Sequence, residues 1–433
     1  MINVNDAHFE QAYFERWYSR FDAHPQLSKG SGERIAVCTS DTAFWLALCL
    51  YAKEHELTVF PLPADTPLTA ARRRADRGKC TRLLFGDSGE TAFERLESLG
   101  RDDAPADASL PGLIQTSSGT TGEPKFIERS WVSIDHEISA YLEHFSQVHD
   151  SDPIVACPVT HSYGLISGVL ASLARAKAPL VVANLNPKYL LRKAMSVRNP
   201  LLYSSPTLVT TMTILAPNDC RNLSVVTSGS TLHKAWFNGI KSKVLHLHQQ
   251  YGCSEAGCVS VGKDISEPND LGEPLPHVRV KSGTAVTEPS EILVSLVDGK
   301  VIETRDLGYI HEERLHFVSR IDEMINVSGL NVYPAEVEEV VLQMPEIEDA
   351  VAFAGERALG HHQVCLRFTA KQTIAAERIR DWCSERLAHH QVPMIIQQVA
   401  TIPRLPNGKV SRRALSQSIQ AAGTPVHTLG VST

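Results

Sequence analysis

Between Thr116 and Lys125 the chain reads Thr-Ser-Ser-Gly-Thr-Thr-Gly-Glu-Pro-Lys, a run of hydroxyls with two glycines and a terminal lysine. Glycine lets successive backbone N–H groups turn toward an anion, and hydroxyls and an ammonium add donors and charge. The chemistry that suits such a segment is phosphate binding. Leu113-Ile114-Gln115 just before it reads as a strand, which sets the loop at the end of a sheet. The spacing is not that of a Walker loop, because Gly119 is followed by Gly122 and Pro124 precedes Lys125. The plain alternative is a solvated turn of the same composition.

A phosphate loop needs a scaffold, and the chain supplies alternating strands and helices. Arg34–Cys38, Thr58–Pro61 and Arg82–Phe85 read as strands, with helices over Thr42–Glu54 (Asp41 as N-cap) and Ala70–Arg77 between them. The alternation continues through strands at Pro153–Cys157, Pro179–Ala183, Leu201–Ser204, Leu223–Thr227 and Val244–Leu247. This pattern predicts a mostly parallel sheet covered by helices. From Val259 to Glu303 short strands separated by Gly and Pro replace it. A second, smaller unit starts at Ile321, with strands at Ala350–Ala354 and Ile395–Val399 and a helix over Ala375–Leu387. The Ser, Gly, Ala and Thr residues after Leu415 predict a frayed tail.

Composition narrows the function. The 433 residues allow two or three domains, and 43% hydrophobic with 21% charged residues is a globular balance. A net charge of −7 gives no nucleic-acid surface. The longest apolar run, Ala43–Ala52, stops at Lys53, too short to span a bilayer. The start of the chain lacks a basic-then-apolar signal pattern. Nine cysteines are scattered without a CxxC spacing, which speaks against a zinc site or disulfide framework and for a reduced, cytoplasmic enzyme.

With the loop in place, further segments fall into an order that resembles the adenylate-forming superfamily: acyl- and aryl-CoA synthetases, adenylation domains of nonribosomal peptide synthetases, and firefly luciferase. Tyr251-Gly252-Cys253-Ser254-Glu255 is similar to that family's YGxTE, with Ser for Thr. Thr304-Arg305-Asp306 resembles TGD with Arg in place of Gly, and Ser319-Arg320-Ile321-Asp322 resembles GRxD with Ser in place of Gly. The segment from Gly329 to Glu338 fits GxxVxPxEIE, and that from Pro403 to Arg412 fits PxxxxGKxxR. The likeness runs from about Arg34 to Leu415, with an abbreviated N-terminal part.

The resemblance implies an α/β fold: a large adenylation domain over residues 1–320, with helix-covered, mostly parallel sheets and a small β-rich part, and a small mobile α+β domain over 321–433. It implies that a carboxylate attacks the α-phosphorus of ATP and that the acyl group of the resulting acyl-AMP then moves to a thiol, of CoA or of a carrier-protein phosphopantetheine. Both reacting groups are anionic, so catalysis is chiefly positioning and charge neutralisation. On this reading Thr116, Ser117, Ser118, Gly119, Thr120, Thr121, Gly122 and Lys125 hold the β- and γ-phosphates. Glu255 binds Mg²⁺, a hard cation suited to carboxylate and phosphate oxygens, and Ser254 donates to the α-phosphate. Asp306 accepts the ribose hydroxyls, and Arg320 adds a ribose or phosphate contact, with Arg305 a further base beside the nucleotide. Lys409 bridges the acid and the α-phosphate, Asp322 is the hinge of the mobile domain, and Gly329 lines the thiol tunnel.

The same resemblance puts the acid pocket at His161 and Ser162, walled by Ser228, Gly229, Gln250, Gly252 and Cys258. Family members that activate α-amino acids carry Asp where this chain has Ser162, because the ammonium needs a carboxylate partner. A neutral Ser162 points away from an amino acid and to an aryl or aliphatic acid, and the short polar wall favours a flat, hydroxylated ring. Set against this are a Walker-type ATPase, which the loop spacing excludes, a non-catalytic nucleotide-binding relative, and a luciferase-like oxygenase.

Overall fold

The computed structural model describes residues 1–27, 33–100, 110–117, 125–216, 220–230, 232–327, 330–356, 362–405 and 408–421. Ser118, Gly119, Thr120, Thr121, Gly122 and Gly329 lie outside the described residues, as does 422–433.

Short, strongly apolar strands need two covered faces, and the chain builds two large sheets that share their helices. One sheet has the order Glu97–Ser98, Arg82–Phe85, Arg34–Cys38, Thr58–Leu62, Gly112–Ser117 and Lys125–Ser130. Its inner strands run parallel, and the two edge strands run antiparallel. The larger sheet is parallel from Ile2–Val4 through Leu180–Val181, Asp152–Ala156, Pro200–Ser204 and Cys220–Thr227 to Val244–Cys253. At Val244–Cys253 it changes sense and continues antiparallel through Gly257–Gly262, Asp270–Pro274, Arg314–Arg320, Val301–His311, Ser290–Leu296 and Val278–Lys281. The expected alternation is present. Val244–Cys253 is longer than its apolar stretch suggests, because its polar second half goes on pairing with Gly257–Gly262 after the pairing with Cys220–Thr227 ends at Gln249.

The apolar run Ala43–Ala52 is core. The helix Thr42–Glu54 is apolar nearly all round and buries Phe44, Trp45, Leu46, Leu48 and Tyr51 against both sheets. Asp41 caps it, accepting the N–H of Phe44 at 3.0 Å. Among the described residues no helix is long and apolar enough to cross a membrane.

Residues from Ile325 onward pack separately around a sheet ordered Ile347–Glu356, His362–Ala370 and Ile395–Gln398. Strand alternation splits its side chains. Ala350 and Ala352 face Val337, Val341 and Ile379, while Val351 and Phe353 face Leu415 and Ile419. The expected fraying after Leu415 does not occur there, because Leu415 and Ile419 are core residues of the helix Arg412–Ala421.

Candidate active site

Asp306 sits on Val301–His311 with its neighbour residues turned away by strand alternation, and it is 8% exposed. One carboxylate oxygen accepts the Tyr251 hydroxyl at 2.7 Å, and the other lies 3.3 Å from Arg320 Nη1 across the register pair Asp306–Arg320. The Asp306 N–H donates to Thr304 Oγ1 at 3.1 Å. Burial pushes the Asp306 carboxyl above the usual range, with Arg320, the Tyr251 hydroxyl and Lys409 pulling back. Arg320 also reaches Asp322 through Nε at 2.8 Å and Nη2 at 3.1 Å.

Arg305 stands where a glycine was expected, and the backbone keeps the glycine conformation, φ +62°. Its side chain is more than half exposed, with a guanidinium nitrogen 3.8 Å from Glu303. Arg305, expected as a base beside the nucleotide, points to solvent on the face opposite Asp306.

Ser254 and Glu255 form the turn between Val244–Cys253 and Gly257–Gly262, both half-buried. The two strands approach so closely that a Cβ at Gly252 would meet the Gly257 carbonyl oxygen at 2.1 Å. Burial pushes the neighbouring Cys253 thiol up to about 12, so it stays protonated. Thr116 and Ser117 end the strand Gly112–Ser117, and Lys125, exposed, opens its antiparallel partner; Ser117 and Lys125 are paired.

Lys409 reaches this region from the small C-terminal part. Its turn is closed by Gly408 N–H to the Leu405 carbonyl and by Leu405 N–H to the Lys409 carbonyl, each 2.8 Å. Gly408 is left-handed, φ +82°, and lies against Ser205, the N-cap of the helix Pro206–Leu215. The Lys409 side chain is open to solvent in a cleft whose walls still depress its pKa, by desolvation first and then by Arg320, against Asp306, Glu323 and Cys253. His161 feels the same ammonium. Its pKa is lowered by burial and then by Lys409, which keeps the imidazole neutral near pH 7.

Ser162 precedes a π-helix, Tyr163–Leu170, and its hydroxyl donates to Gln115 Oε1. Gln115 Nε2 in turn donates to the Thr160 carbonyl at 3.3 Å. Gln250, 6% exposed, donates from Nε2 to Ser167 Oγ at 2.8 Å, and its Oε1 is buried without a hydrogen-bond partner among the described residues. Ser228 is half-buried and Gly229 exposed with φ +91°. Cys258, expected on the pocket wall, is 1% exposed and belongs to the core cluster that holds Tyr141, Tyr163 and Tyr203. Sequence reasoning did not single out Gln115, Ser167 or Tyr251; Tyr251 lay inside a motif it quoted, while Gln115 and Ser167 carried no signal. Among the described residues no group of three or more His, Cys, Asp or Glu side chains could hold a metal alone.

Residues 26–282 match the AMP-binding enzyme family and residues 336–409 its C-terminal domain. A 3,4-dihydroxybenzoate–[aryl-carrier protein] ligase from Bacillus anthracis is 36% identical over 415 residues, which are 96% of this chain and 98% of that protein. The chain belongs to the AMP-binding enzyme family. This AMP-binding enzyme is an adenylate-forming ligase, as the order of its motifs implies. Its fold is shared with ATP-bound MatB from Rhodopseudomonas palustris, TM-score 0.81 at 18% identity over 98% of this chain and 96% of that one. It is shared also with the O-succinylbenzoate coenzyme A synthetase of Bacillus subtilis in complex with ATP and magnesium, TM-score 0.79 at 17% identity over 96% of both chains.

Proposed function

We propose that this AMP-binding enzyme activates a hydroxylated aromatic acid as aryl-AMP and passes the aryl group to the phosphopantetheine thiol of a carrier protein. The observation that carries the reading is the neutral pair at the head of the π-helix. Ser162 is bonded to Gln115 and His161 is held neutral, so neither offers an ammonium a carboxylate partner. The unpartnered Oε1 of buried Gln250 is an acceptor that suits a ring hydroxyl, and a site built to bond a hydroxyl rejects acids that lack it. The Bacillus anthracis relative, which is named for an aryl acid and a carrier protein, supports the same class.

In this reading an acid oxygen attacks the α-phosphorus and the bond to pyrophosphate breaks. Lys409 neutralises charge on both groups from the cleft, where its position near Arg320, Asp306 and His161 suits a bridge. Thr116, Ser117, Ser118, Gly119, Thr120, Thr121, Gly122 and Lys125 cradle the outer phosphates, and Ser254 donates to the α-phosphate. Asp306 and Arg320 take the ribose. The half-buried carboxylate of Glu255 would hold Mg²⁺, a hard cation suited to oxygen ligands, and the ion would offset phosphate charge there. The thiol sulfur then attacks the acyl carbon, AMP leaves, and the thiol proton goes to solvent. Residues 1–320 and 321–433 act as separate domains about Asp322, with Gly329 at the thiol tunnel.

The test is an ATP–pyrophosphate exchange panel of hydroxybenzoates, cinnamates, fatty acids and amino acids, followed by thioester formation with CoA and with a phosphopantetheinylated carrier. Fastest exchange with a dihydroxybenzoate and transfer to the carrier is expected. Fastest exchange with an amino acid or a long-chain fatty acid overturns the aryl reading, and transfer to CoA alone overturns the carrier.

A further inference from the structure

A buried ion pair lies behind the turn that carries Glu255, and none of the steps above uses it. Arg129 is near the end of Lys125–Ser130, the strand that leaves the phosphate loop, and Glu137 is on the buried face of the following helix Trp131–His144. Arg129 Nη1 stands 2.7 Å from Glu137 Oε2, with the two side chains 5% and 2% exposed. These two atoms meet charge to charge without the alignment of a hydrogen bond. The other oxygen, Glu137 Oε1, accepts the backbone N–H of Cys258 at 2.7 Å. Gly257 closes the turn directly against the pair. It is left-handed, φ +75°, and a Cβ there would stand 2.2 Å from Glu137 Oε2 and 2.3 Å from Arg129 Nη1.

A buried and poorly aligned ion pair is a weak source of stability, since desolvating two charges offsets much of their attraction. Its geometry does something else. One charge sits on the strand that leaves the phosphate loop, and the other holds the first strand residues after Ser254 and Glu255. We propose that Arg129 and Glu137 are positioning residues that set the distance between the strand Lys125–Ser130 and the turn carrying Glu255, and through it the affinity for magnesium-bound ATP. This rests on Glu255 holding the magnesium ion.

The variants are Glu137→Gln, which keeps an acceptor for the Cys258 N–H and removes the charge, and the double neutral variant Arg129→Met with Glu137→Gln, which leaves no buried unpaired charge. Arg129→Lys is the conservative control, and Glu255→Gln the reference. Calorimetric titration with ATP, with and without Mg²⁺, reads the metal-dependent part of binding, and titration with AMP reads the pocket without outer phosphates. The expected result is a loss of about 10-fold or more in Mg²⁺-dependent ATP affinity for Glu137→Gln, the double variant and Glu255→Gln, with AMP affinity kept within about twofold and part of the loss recovered in Arg129→Lys. If Glu255→Gln loses the magnesium effect and the pair variants keep it, the positioning role is overturned and the Glu255 reading stands. If Glu255→Gln keeps the magnesium effect, both fall. If the pair variants lose AMP and ATP binding alike, the pair only holds the fold and the proposal is overturned. Should Glu137→Gln not fold, the double neutral variant carries the same comparison.

Discussion

Arg320 grips Asp322 with two nitrogens, Nε at 2.8 Å and Nη2 at 3.1 Å. The third nitrogen of the same guanidinium lies 3.3 Å from Asp306. The carboxylate assigned to the ribose and the residue assigned to the hinge thus share one rigid fork, which a lysine could not reproduce.

That sharing has a pH consequence. Burial already raises the Asp306 carboxyl, and Arg320 is the largest influence holding it down. Arg320→Met removes that influence, so protonation of Asp306 sets in at higher pH. The acid limb of ATP–pyrophosphate exchange against pH should move upward, with KM for ATP raised about 10-fold. An acid limb at its original pH would show that ionised Asp306 is not required.

The two half-reactions should separate at Lys409 and Gly329. Lys409→Ala removes the ammonium from the cleft and should slow adenylation by about 10²-fold or more, while thioester formation from supplied aryl-AMP stays within a few-fold. Gly329→Leu should do the reverse by obstructing the thiol. Rapid-quench measurement of each step separately decides; equal losses in both steps for either variant would contradict its assignment.

Ser162→Asp puts an anion in the proposed acid pocket and disturbs the bond to Gln115. Activation of aromatic acids should fall about 100-fold, because an unpaired buried charge is costly. Exchange assays over the acid panel read this directly. Undiminished activity with hydroxybenzoates would place the acid elsewhere.

Arg305 holds a left-handed conformation that costs a non-glycine residue about 1 kcal/mol. Since its side chain points to solvent, Arg305→Gly should raise stability by about that amount and leave KM for ATP within about twofold. Urea denaturation and exchange kinetics check both. A large rise in KM would return Arg305 to the nucleotide.

The order of motifs along the chain was enough to name the chemistry, through its resemblance to that of one enzyme family. The strand–helix alternation likewise followed from apolar runs whose length and period are properties of short segments. Contacts between distant segments were not legible. Gln115 and Ser162 are 47 positions apart, and Glu137 and Cys258 are 121 apart, with nothing in either local sequence marking the partner. The burial of Cys258 was not legible either, because it depends on how two strands pair. The ladder slips between Tyr251 and Gly252, so Tyr251 faces Ser260 while Gly252 faces Cys258; the extra residue puts Cys258 on the face of Gly252 and Gln250, where core side chains cover it. Arg305 shows the converse: chain order put it beside Asp306, and the fold turns its side chain to solvent while Asp306 is buried.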